Sequence, residues 1–172
     1  MKKIIIASLV TIAASTAVAQ DTSSETSSAK GLYLGGGISY NDLDAGSIFD
    51  EIDNASASGF QLFAGLPIAS SIKGFETFVE LGYFQTNTFK LATGVKERVR
   101  GVSGSFVLQR NLNEIDPNLY GLARIGAEIG DDDGILMGVG AGYRLSPKVE
   151  FRAEFVNKDL VTSYQANALV RF

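Results

Sequence analysis

The sequence predicts an all-β chain folded as an eight-stranded antiparallel up-and-down transmembrane β-barrel. Three observations carry that expectation: an export-type start, eight runs that alternate apolar with polar or glycine residues, and three prolines spaced one to a connection. A strand that is apolar on one face and polar on the other suits a barrel in lipid, because lipid wets the outside while side chains or water fill the inside.

The first segment is read as a signal peptide over residues 1–19. Lys2 and Lys3 form a basic start, Ile4 to Val18 is uncharged and mostly apolar, and Ala17-Val18-Ala19 supplies the small residues a signal peptidase reads. The run is short for an uncleaved spanning anchor. Residues 20–30 are rich in Ser and Thr with no apolar period and are read as a disordered lead-in. Residues 31–172 are then the barrel. No later apolar stretch is long enough to span a membrane as a helix.

The eight runs follow in order. Gly31 to Tyr40 sets Leu32, Leu34, Ile38 and Tyr40 opposite Tyr33, Gly35, Gly37 and Ser39. Ser56 to Leu66 sets Phe60, Leu62, Ala64 and Leu66 opposite Gly59, Gln61, Phe63 and Gly65. Gly74 to Phe84 sets Val79, Leu81 and Tyr83 opposite Phe78, Glu80 and Gly82. Glu97 to Gln109 is a weaker alternation, with Val102, Phe106 and Leu108 assigned outward. Asn118 to Ile129 carries Ala123, Ile125 and Ala127 outward and Tyr120, Arg124 and Glu128 inward. Ile135 to Leu145 sets Met137, Val139, Ala141 and Tyr143 against Gly138, Gly140, Gly142 and Arg144. Lys148 to Val156 sets Phe151, Ala153 and Phe155 against Glu150, Arg152 and Glu154. The last run places Tyr164, Ala166, Ala168, Val170 and Phe172 on one face and Gln165, Asn167 and Arg171 on the other, interrupted by Leu169.

Proline cannot donate to a ladder, so Pro67, Pro117 and Pro147 are expected in three short turns facing the periplasm. The connections near 41–55, 85–96, 130–134 and 157–162 are expected to be the generally longer outer loops. Outward aromatics are expected in two belts. Tyr40, Phe60, Tyr83, Phe155 and Tyr164 fall near the loop ends; Phe75, Phe106, Tyr143, Phe151 and Phe172 fall near the turn ends. The polar face holds Glu80, Arg124, Glu128, Arg144, Glu150, Arg152, Glu154 and Arg171, four acids and four bases. A soluble barrel would put polar residues outside instead, so this inventory favours a narrow lumen filled by mutually neutralising side chains.

The runs Gly31-Leu32-Tyr33-Leu34-Gly35-Gly36-Gly37, Gly138-Val139-Gly140-Ala141-Gly142-Tyr143-Arg144, Val149-Glu150-Phe151-Arg152-Ala153-Glu154-Phe155 and Leu169-Val170-Arg171-Phe172 resemble the OmpA/OmpX-like "porin family" outer-membrane β-barrel domain. The resemblance covers Gly31 to Phe172. It implies an outer-membrane address, reached through the periplasm after signal cleavage, and a surface or envelope role in a Gram-negative bacterium. It also implies that Tyr164, Ala166, Ala168, Val170 and Phe172 form the assembly signal recognised by the barrel-assembly machinery. The chain departs from two-domain OmpA proteins by ending at the barrel, so peptidoglycan binding is not carried over.

Chemistry is limited by what is missing. The chain has no His and no Cys, which removes a Ser-His-acid triad, a Cys-His pair and any disulfide. An enzyme is therefore not expected, and no cofactor is assigned. Asp131-Asp132-Asp133-Gly134 lacks the spacing and terminal Glu of a calcium loop and reads as a solvated acidic turn. The formal charge of −4 becomes −6 when the signal takes Lys2 and Lys3 away, which argues against a nucleic-acid partner. Asp42, Asp44, Asp50, Glu51 and Asp53 make the first outer loop acidic, suited to bridging divalent cations to lipopolysaccharide or simply to solubility. Lys96, Arg98 and Arg100 alternate at the outer end of the fourth run, where they would meet lipid phosphates or project beyond the membrane. Two functional classes stay open: a structural or surface-interaction protein, and a small-solute pore. Eight strands usually leave a bore just wide enough for side chains, which favours the first.

Overall fold

Alternation of this kind can bury its polar face only if the sheet closes on itself, and it does. The structure, a computed structural model, describes residues 31–43, 55–70, 72–90, 96–131, 133–158 and 161–172. The expected signal and lead-in, and Asp44, Asp50, Glu51, Asp53 and Asp132, lie outside the described residues. The strands are β1 (Tyr33–Leu43), β2 (Ala55–Ile68), β3 (Glu76–Thr86), β4 (Phe89–Lys90), β5 (Lys96–Glu97), β6 (Arg100–Asn111), β7 (Leu119–Gly130), β8 (Gly134–Arg144), β9 (Val149–Lys158) and β10 (Val161–Arg171). Eight of them close a barrel in the order β1-β10-β9-β8-β7-β6-β3-β2, every neighbouring pair antiparallel.

The seam runs from Tyr33↔Arg171 to Leu43↔Val161. Beyond it the Gly31 N–H donates to the Phe172 carbonyl at 3.2 Å, and the Phe172 N–H donates to the Leu32 carbonyl at 2.9 Å. We call the end that holds this clasp the base and the opposite end the rim. Closure leaves no barrel edge unpaired, which is the condition for a sheet to sit in hydrocarbon.

The outer wall is apolar. Ile38 is 70 % exposed and Val139 58 %, and Leu62, Leu81, Phe106 and Ile125 are exposed beside them, while Gln61, Glu80, Arg152 and Glu154 are buried. In water such a continuous apolar wall would be a severe liability; in a bilayer it is the required surface. Outward rings cluster towards the rim, where Phe155 meets Tyr164 at 5.4 Å and Phe60 meets Tyr83 at 6.2 Å. Phe106 departs from the expected lower belt, since it lies mid-way along β6.

Four further expectations need correction. The fourth run is not one strand: residues 96–97 pair with Phe89–Lys90 in a separate two-stranded sheet, and the barrel strand begins at Arg100. Two sets of contacts accompany the break. The Thr86 side chain accepts from the Val99 N–H at 2.9 Å, and its hydroxyl donates to the Val99 carbonyl at 3.2 Å. Phe89 meanwhile buries itself against Ala55, Ala57 and Val99. Secondly, β9 runs on to Lys158 rather than stopping at Val156. Thirdly, Pro67 lies inside β2, paired with Phe78, where the β1 ladder has already ended at Tyr33↔Gly65 and an edge position tolerates it. Fourthly, long loops are not general at the rim: 131–133 and 159–160 are shorter than the base connections 69–75 and 112–118, because β7 to β10 continue their alternation almost to the reversal.

Three inward glycines stand directly across from inward rings: Gly65 from Tyr33, Gly35 from Phe63 and Gly142 from Tyr120. A Cβ on Gly142 would lie 2.2 Å from Cζ of Tyr120, so the ring occupies the space a side chain would need. Gly142→Ala is expected to destabilise the barrel by about 1–3 kcal/mol, the range for overpacking, in urea refolding titrations. Gly121→Ala is the comparator, since its Cβ would meet only Leu112 at 3.8 Å. Equal effects at both positions would show that the Tyr120 ring moves freely aside.

Candidate functional site: the lumen

Because inward residues recur at every second position, each strand delivers side chains to the lumen at graded heights, from two on the glycine-rich β8 (Leu136 and Arg144) to six on β10. At the centre β3 supplies Glu80, β7 Arg124, and β9 both Arg152 and Glu154. Glu80 accepts from the Tyr33 hydroxyl and from Arg124, and from Arg152 Nη1 at 2.7 Å. Glu154 faces Arg152 Nε at 2.7 Å and Arg124 Nε at 3.2 Å. Both carboxylates thus lie between the same two guanidiniums, and the side chains of Arg152 and Glu154 are fully buried. Ionised groups this deep persist only when each is paired, which the crossed arrangement achieves.

Towards the rim the network continues through neutral amides. Asn167 donates to Glu154 at 3.1 Å, Gln61 donates to Asn167 at 2.6 Å and to Gln165 at 2.7 Å, and Ser163 donates to Asn41 at 2.8 Å. Glu128 pairs there with Lys158 at 2.7 Å, and the Lys158 ammonium lies 3.4 Å from the centre of the Phe84 ring. Beside these groups is a cavity of about 30 Å³ lined in part by Gln61, Glu80, Arg124 and Lys158, space for roughly two waters.

At the base, Glu150 accepts from the Tyr120 hydroxyl at 2.9 Å and from Arg171 Nε at 2.5 Å, with Arg144 Nε at 3.7 Å. Arg144 also reaches Glu76 at 3.6 Å and donates to Asn111 at 2.6 Å. The centre and base are joined by a buried apolar cluster of Tyr33, Phe63, Phe78, Val107, Tyr120, Leu122 and Leu169. Guanidiniums stack on its rings: Arg152 on Phe63 at 4.7 Å, Arg144 on Tyr120 at 4.8 Å, and Arg171 on Tyr33 and Phe78 at 5.3 Å.

All eight inward charges named from the sequence face the lumen, divided into three groups rather than one. Sequence reasoning missed Lys158, Glu76 and the aromatic cluster. Lys158 was legible in principle, since Glu154, Val156 and Lys158 keep the same period. Leu169, an interruption by alternation alone, is part of the cluster.

The rim cations are not brought together as a row. Lys96 lies in β5 off the barrel, Arg98 is exposed between the two sheets, and Arg100 opens β6 with its Nε 3.8 Å from Asp131. Tyr164, Ala166, Ala168, Val170 and Phe172 all face outward and exposed along the last strand and its end. Among the described residues no group of carboxylates is arranged to hold a metal ion.

A closed eight-stranded barrel with an apolar wall and a charged, filled interior defines an outer-membrane-type barrel protein. The sequence matches the family described as "outer membrane protein beta-barrel domain" over residues 5–170, and the chain belongs to that family. Among solved structures, a de novo designed transmembrane β-barrel superposes with a TM-score of 0.53 at 14 % identity, covering 83 % of this chain and 95 % of that one. Neisserial surface protein A (NspA) superposes with a TM-score of 0.52 at 15 % identity, covering 82 % of this chain and 97 % of that one. At such identities the likeness is one of fold. Curated proteins give no significant sequence match.

Proposed function

We propose that this chain is a non-enzymatic, non-conducting barrel that acts as a structural and surface-interaction protein of the Gram-negative envelope. One observation carries the reading: the lumen is crossed by the Glu80–Arg124–Arg152–Glu154 network and, below it, by the Tyr33–Phe63–Phe78–Tyr120 cluster. A solute would have to displace both layers. The refolded chain, placed in planar bilayers, is expected to show no steady conductance. A large, stable open state would overturn the reading and favour the small-solute pore.

The same proposal includes the route. Residues 1–19 act as a cleaved signal, the barrel lies in outer-membrane lipid and lipopolysaccharide, and Arg98 and Arg100 meet phosphates at the rim. The outward face of the last strand, closing on Phe172, serves as the signal to the assembly machinery. Removing Phe172 should leave export intact and lower the amount of inserted barrel, read by cell fractionation. Normal outer-membrane levels of the shortened chain would count against that signal.

A further inference from the structure

Each base connection exposes one large aliphatic side chain: Ile72 at 50 %, Ile115 at 75 % and Leu145 at 65 %. Chain reversals are normally polar, and an aliphatic residue at a turn tip in water gains nothing. The Ile115 N–H donates to the Leu112 carbonyl at 2.8 Å, the Phe75 N–H to the Ile72 carbonyl at 3.2 Å and the Leu145 N–H to the Val149 carbonyl at 2.9 Å, so each of the three tips belongs to a short hydrogen-bonded reversal.

Leu145 follows Tyr143 on the outward face of β8 and so prolongs the lipid-facing wall past the end of the ladder. The base also carries exposed cations, Lys73 next to Ile72, Lys148 in the turn that begins at Leu145, and Arg110 at the lower end of β6, 6.0 Å over the Phe75 ring. Apolar tips beside long cationic side chains, below a level of outward aromatics, are the arrangement expected where a protein meets phospholipid headgroups. Glu114 and Glu76 are the exposed acids among them. Asp116 is engaged by the Asn118 N–H at 2.7 Å, and Glu76 is turned to Arg144.

We infer that the three base turns are interfacial anchors: Ile72, Ile115 and Leu145 are immersed in the acyl–headgroup boundary of the leaflet around the base, and Lys73, Arg110 and Lys148 reach its phosphates. The base therefore ends within the membrane interface instead of projecting from it. This rests on the placement of the barrel in a bilayer and is independent of whether the lumen conducts.

The chain contains no Trp, so Ile72→Trp, Ile115→Trp and Leu145→Trp each create a single reporter. Refolded into phosphatidylcholine–phosphatidylglycerol vesicles, each is expected to emit with a blue shift relative to the urea-unfolded chain. Each should also be quenched strongly by lipids brominated high on the acyl chain and weakly by aqueous iodide. Emission at the unfolded position with full iodide quenching at all three tips would overturn the inference, and would point instead to a periplasmic protein as what covers them. Hydroxyl-radical footprinting of the unaltered chain in the same vesicles needs no substitution. Protection of Ile72, Ile115 and Leu145 relative to the rim residues supports the anchors, and oxidation equal to the rim refutes them.

Discussion

Arg152→Ala is expected to lower the unfolding free energy of the barrel in bilayers by about 3–5 kcal/mol, the range for removing one partner of a buried ion pair. Its side chain is fully buried between Glu80 and Glu154, each 2.7 Å away, and lies over Phe63. Loss of the guanidinium leaves two carboxylates sharing Arg124, so one negative charge stays uncompensated in the bore. Arg124 still touches both, and lumen water would enter the vacated space, so the effect is expected at the lower end of the range. Urea titration of the wild type, Arg152→Ala, Glu154→Ala and the double variant would isolate the coupling. A single-variant loss under about 1 kcal/mol would mean that the centre of the lumen is solvated like a surface. Any conductance that appears only in Arg152→Ala would show that this layer is part of the seal.

Val139→Arg is the second large effect, expected to destabilise by about 2–4 kcal/mol if the position lies near the bilayer midplane. Val139 stands in the middle of β8, paired with Ala123 on one side and Phe155 on the other, and points away from the lumen. Neither cross-strand neighbour, Ala123 or Phe155, can receive a guanidinium by hydrogen bond. Val139→Leu keeps the wall apolar and is expected to be near neutral. If Val139→Arg cost no more than a few tenths, the hydrophobic belt would have to sit at a different height along the strands.

The two predictions draw on different kinds of information. That Val139 faces lipid follows from the period of the sequence, since neighbouring residues of a strand point to opposite faces whatever the partners are. The same local rule put Glu80, Arg124, Arg152 and Glu154 on the inner face. Which of them meet was not written in that period: Glu80 and Arg152 are 72 residues apart, and their contact depends on the stagger of every strand between them. The Gly142–Tyr120 and Gly65–Tyr33 fits are of the same kind, visible only once the register sets glycine opposite ring.

The sequence by itself determined that the chain is an antiparallel barrel with an apolar exterior, because alternation and turn residues act over a few neighbours. Only the tertiary structure decided where the strands end, how Thr86 and Phe89 break the fourth run and take Lys96 off the barrel, and that Lys158, whose inward period was legible, has Glu128 as its partner. Each of those outcomes is set by partners distant in sequence competing for a place in one closed interior, and a local period carries no record of that competition.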